Sequence, residues 1–89
     1  MKAFGIKVSG VVQGVGFRYH TMQEARSLGL CGTVENKSDG SVRIHVEGTE
    51  KSVLVFLEWC HKGPSASKVT QLDYIIKEPM ALTSFEILR

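Results

Sequence analysis

No run of apolar residues in this 89-residue chain approaches the length of a bilayer span, and the N-terminal MKAFGIKVSG lacks the apolar core and small-residue cleavage site of a secretory signal. No membrane association is expected, and the expected compartment is the cytoplasm. Cysteine is scarce: Cys31 and Cys60 stand alone, without a CxxC pair or a histidine at ligand spacing, so both read as small buried apolar residues. The three histidines, His20, His45 and His61, lie far apart and read as surface or packing residues, which leaves no metal cluster to expect. A one-sided charge is missing as well. The net charge of +2 comes from scattered lysines and arginines, so there is no basic patch for a nucleic acid. Linkers, repeats and low-complexity stretches are absent, and the length allows one domain, residues 1–89, with its own core; a monomer is expected.

What is present is a regular alternation of strand and helix signals. Phe4, Ile6 and Val8 alternate with Gly5 and Lys7, giving a first strand over residues 3–9. Tyr19, Met22, Ala25 and Leu28 recur at helical spacing, Gly29 is a left-handed stop, and Leu30 is placed to pack back on Ala25. Thr33 to Lys37 reads as a second strand. KSDGS is a hairpin turn in which Asp39 and Gly40 can take positive φ cheaply, and Val42, Ile44 and Val46 then alternate with Arg43, His45 and Glu47. Val53, Phe56, Leu57 and Cys60 form the apolar stripe of a second helix that opens near Glu50 and closes at Lys62, Gly63 and Pro64. A strand over residues 67–77 with Val69, Tyr74 and Ile76 follows, and Phe85 and Ile87 mark a short last one. The order β-α-β-β-α-β with a small strand appended is that of an α+β, ferredoxin-like sandwich: an antiparallel sheet with both helices on one face. Such a fold hosts many functions, so the site must decide.

The stretch VVQGVGFRYH, residues 11–20, joins the first strand to the first helix. Unpaired N–H groups converge at a helix start and the helix dipole there favours negative charge. Gly10, Gly14 and Gly16 let the backbone curve with its amides inward, and the forked guanidinium of Arg18 can take two oxygens of a tetrahedral anion. Neither a Walker loop nor GxGxxG fits this stretch, which argues against ATP and dinucleotides. A β-α-β crossover makes the first two strands parallel, with the third inserted between them, so Asn36, at the end of the second, lies on the same sheet edge as the loop. Its amide suits holding a water against a phosphorus atom. On these residues alone, a plain turn with a solvated arginine and an ordinary turn asparagine are the readings to beat.

Taken together, Val8, Gly10, Val12, Gln13, Gly14, Val15, Phe17 and Arg18 match every specified position of the first signature of the acylphosphatases, and the chain resembles that family. The second signature is echoed with every gap correct by Gly32, Val34, Asn36, Gly40, Val42 and Gly48, and KGPSASKV is similar to the family's segment after the second helix. Thr33 and Glu35 depart from the family's usual aromatic and its usual basic or neutral residue; strand alternation turns both away from Asn36, so altered packing or substrate preference is expected rather than loss of activity.

The resemblance implies hydrolysis of the carboxyl-phosphate bond of small acyl phosphates, with no cofactor and no metal. Backbone amides of Gln13, Gly14, Val15, Gly16, Phe17 and Arg18 would cradle the phosphoryl group, Arg18 would bind its oxygens, and Asn36 would place the attacking water. Inorganic phosphate or sulfate would compete. The alternative is an accessory, anion-binding domain without turnover. An RNA-recognition module is disfavoured, because its aromatic motif belongs on the third strand, where SVRIHVEG offers no stacking pair. Trp59 and the apolar helix stripes read as core, and His20, two residues past Arg18, is expected to point partly away from the loop.

Overall fold

The computed structural model describes residues 1–89. Seven elements follow in order: β1 (Lys2–Val11), α1 (Phe17–Ser27), β2 (Cys31–Asn36), β3 (Val42–Gly48), α2 (Glu50–Lys62), β4 (Lys68–Lys77) and β5 (Phe85–Ile87). They form one sheet in the order β4-β1-β3-β2-β5. The first four strands of that order pair antiparallel, and β5 adds itself parallel to β2 through Gly32, Thr33 and Val34. The sheet is therefore mixed, which refines the antiparallel expectation at one edge only.

The core lies between the helices and one face of the sheet. Phe4, Ile6, Val8, Val34, Val42, Ile44 and Val46 face it from the strands, as their period of two dictates, and Val53, Phe56, Leu57 and Cys60 meet them from α2. Each large apolar side chain buried there contributes about 1.5–3 kcal/mol. Thr49 caps α2 by accepting from the Ser52 N–H at 3.4 Å, and Gly63 ends the helix.

Several expectations are corrected. The buried stripe of α1 is Phe17, Thr21 and Ala25, with Met22 and Leu28 only partly buried and Tyr19 52% exposed. Phe17 is pinned against Trp59 with ring centroids 5.9 Å apart, and two residues on the helix has turned about 200°, which sends Tyr19 outward. In the turn, Gly40 takes φ 92 but Asp39 does not adopt positive φ; its Oδ1 instead accepts from the Ser41 N–H at 2.9 Å and from Ser41 Oγ at 2.6 Å. Tyr74 and Ile76 on β4 are 52% and 78% exposed: β4 is an edge strand, and Val69 and Leu72 are the apolar side chains through which it packs against the core. Cys31 is half-buried rather than buried, and both thiols are free.

The sheet face away from the helices is not uniformly open. His45 and Glu47 are buried there, since the segment linking β4 to β5 bonds back to Glu47 through the Met80 and Leu82 N–H groups. Further along that face, Lys7 and Arg43 lie side by side with Asp73 and Glu35 flanking them, a row across four strands over a shallow hollow of about 350 Å³.

Candidate active site

The loop of residues 12–16 is fixed at both ends by burial. Val12 and Phe17 are each 1% exposed, and between them Gly14 and Gly16 take φ 75 and 77, a left-handed geometry that costs a side-chain-bearing residue about 1–2 kcal/mol. Gly16 is also the N-cap of α1 and supplies no side-chain cap, and the first turn carries no acidic residue, so the helix start keeps its positive character.

A second tie holds the loop to the end of β2. Gln13 Nε2 donates to the carbonyl oxygens of Lys37 at 2.7 Å and Ser41 at 2.9 Å. Those carbonyls flank the β2–β3 turn that begins just after Asn36, so the glycine loop and Asn36 are set relative to each other by one side chain.

Between them lies a cleft of about 250 Å³ lined by Val12, Gly14, Gly16, Phe17, Arg18, Tyr19, Asn36, Ile87 and Arg89. Arg18 is half-buried and pairs with no carboxylate, whereas Lys7, Arg26 and Lys37 all do. The Oδ1 of Asn36 is buried and makes no hydrogen bond within the protein. An unsatisfied buried acceptor is uncommon and points to a ligand or water as its partner. The cleft thus offers a permanently charged fork, two glycines in left-handed geometry and one free amide oxygen: a donor suited to a tetrahedral anion and an acceptor for a water beside it.

Of the residues singled out from the sequence, the fold brings Gly14, Gly16, Phe17, Arg18 and Asn36 together in this cleft. Gln13 and Val15 do not line it: Gln13 is turned to the β2–β3 turn, and Val15 packs against the core. His20 borders a separate hollow with Gln23, Trp59 and Pro64. Tyr19, Ile87 and Arg89 are members that sequence reasoning missed. Ile87 pairs with Val34, two residues before Asn36, so the parallel addition of β5 was the signal that would have found it.

A sequence profile of the Acylphosphatase family matches residues 4–87. The chain is 48% identical over 87 residues to the acylphosphatase of Thermotoga maritima, covering 98% of this chain and 97% of that one. It is 44% identical over 85 residues to the acylphosphatase of a Nocardioides species, covering 96% and 86%. Among solved structures, the acylphosphatase from Bacillus subtilis superposes with a TM-score of 0.97 at 38% identity, each chain fully covered.

Proposed function

The chain belongs to the acylphosphatase family, and from that membership we propose that it hydrolyses the carboxyl-phosphate bond of small acyl phosphates, releasing a carboxylate and inorganic phosphate. The observation that carries this reading is the convergence of Arg18, without an acidic partner, and the unsatisfied Oδ1 of Asn36 on one small cleft.

In the proposed mechanism the guanidinium of Arg18 and the N–H groups of the loop hold the non-bridging phosphoryl oxygens. Phosphoryl transfer passes through a loose transition state with charge spread on those oxygens, so fixed donors are its main source of acceleration, each typically worth about 3–4 kcal/mol. Asn36 Oδ1 accepts a hydrogen bond from a water and sets its oxygen in line with the phosphorus. The leaving carboxylate is a weak base, with a conjugate acid of pKa about 4, and departs without a protein acid. No carboxylate side chain or imidazole lines the cleft. The substrate's own phosphoryl oxygen is then the acceptor within reach for the water's proton.

We take the chain to work as a one-domain monomer in the cytoplasm, with inorganic phosphate or sulfate competing for the same cradle. No helix is long and apolar enough to cross a membrane. The test is phosphate release from benzoyl phosphate by the purified protein, with EDTA present. Turnover well above the uncatalysed rate is expected, and Arg18→Lys should lose both turnover and inhibition by inorganic phosphate, because an ammonium cannot present the same fork. Release no faster than background would refute the assignment.

A further inference from the structure

One fully buried carboxylate stands outside the proposed chemistry. Glu47, on the sheet face away from the helices, is 1% exposed. Its Oε2 accepts from His45 Nε2 and from the Met80 N–H, both at 2.8 Å, and its Oε1 from the Leu82 N–H at 2.7 Å. Burial alone would raise its pKa, but these donors replace the lost water and hold the group below the ordinary carboxylate range. Between the two backbone donors, Ala81 adopts φ 57, which brings N–H groups two residues apart onto one carboxylate in the manner of a backbone anion nest.

The pinned segment leads directly into the cleft. Two residues past Leu82, the carbonyl of Ser84 accepts from the Gly32 N–H at 2.9 Å; Phe85 is buried, and the Leu88 N–H donates to Val34 at 2.8 Å. This path delivers Ile87 and Arg89 into the cleft that holds Arg18 and Asn36. We propose that Glu47 is a positioning residue for substrate binding: its carboxylate pins residues 80–82 and thereby fixes where Ile87 and Arg89 stand in the cleft. This rests on reading that cleft as the acyl phosphate site. A carboxylate suits the task because it is acceptor-only and its two oxygens take three donors; an amide in its place would turn an N–H toward a backbone N–H. Arg18 and Asn36 are carried by the first turn of α1 and by β2, not by the pinned segment, so releasing the pin acts on binding and spares the chemical step.

The experiment measures kcat and KM for benzoyl phosphate, and Ki for inorganic phosphate, in wild type, Glu47→Gln, Ile87→Ala and the double variant. Each single change is expected to raise KM and Ki about fivefold with kcat within about twofold, a loss of binding shared by ground and transition states. The double variant is expected to be no worse than Ile87→Ala alone, since both changes remove the same wall. A folded Glu47→Gln with unchanged KM and Ki, or effects that multiply in the double variant, overturns the proposal. Ile87→Ala without effect on either constant overturns instead the reading of the cleft on which the proposal stands. If Glu47→Gln does not fold, Glu47→Asp, which keeps the charge but withdraws it by one methylene, is put through the same cycle with the same outcomes.

Discussion

The side-chain amide of Gln13 donates to the Lys37 carbonyl at 2.7 Å, and the same nitrogen reaches Ser41 at 2.9 Å, so the glycine loop is laced to the turn that follows Asn36. A misplacement of about 1 Å between phosphate cradle and water-holder is enough to cost on the order of 100-fold in rate. Gln13→Ala is therefore expected to lower kcat by at least about tenfold while destabilising the fold by only about 1–2 kcal/mol, the net worth of two hydrogen bonds. Gln13→Glu should be worse than Gln13→Ala in both respects, because a carboxylate facing two carbonyl oxygens has no proton to donate. Steady-state kinetics and urea unfolding of the two variants check the order.

Asp39 gives a pH dependence with a defined sign. Hydrogen bonds from the side chain and backbone of Ser41, helped by Lys7 with its Nζ 3.5 Å from Oδ2, hold its pKa at about 2 against an ordinary 3.8. A depressed folded pKa means that the ionised turn stabilises the fold above the ordinary value, and that this contribution is lost as pH falls from about 4 toward 2. An NMR titration of the Asp39 carboxyl should show a midpoint near 2, and Ser41→Ala should move it up toward the ordinary value.

The two thiols should differ in reactivity. Cys60 is completely buried, and burial first, then the charge of Glu24, pushes its pKa far above the ordinary range, while Cys31 is half-buried on β2. Since the thiolate is the reactive form, an aromatic disulfide reagent at neutral pH should modify Cys31 at least on the order of 100-fold faster than Cys60 in the folded protein. Equal rates would contradict the packing of α2.

Ala81 is the one non-glycine residue at positive φ, at 57°, and its side chain is exposed. Ala81→Gly relieves a left-handed strain of about 1–2 kcal/mol against a cost of about 0.5–1 kcal/mol of unfolded-state entropy, a net gain of up to about 1.5 kcal/mol. Tm should rise by a few degrees, which calorimetry would register.

The sequence made much of this legible, and the reasons lie in particular residues. Period-two alternation marks the buried face of β1 and β3, and the β-α-β crossover is enough to bring Asn36 to the edge that holds Arg18. Alternation could not say what covers the opposite face, because the segment that buries His45 and Glu47 has no period of its own and acts through backbone N–H groups. Nor could it say that Ile87 and Arg89 enter the cleft, which depends on a three-residue strand choosing the free edge of β2. Tyr19 was misread for a simpler reason: helical spacing fixes a stripe but not which residue starts it, and Phe17 took that place.

The central claim is a division of labour in which Arg18 and the loop bind the phosphoryl group and Asn36 places the water. It is tested most directly by measuring kcat for benzoyl phosphate together with Ki for inorganic phosphate in Asn36→Ala. The account predicts a fall in kcat of about 100- to 1000-fold with Ki within about threefold of wild type. A variant as active as wild type, or one that loses phosphate binding in step with turnover, would contradict it.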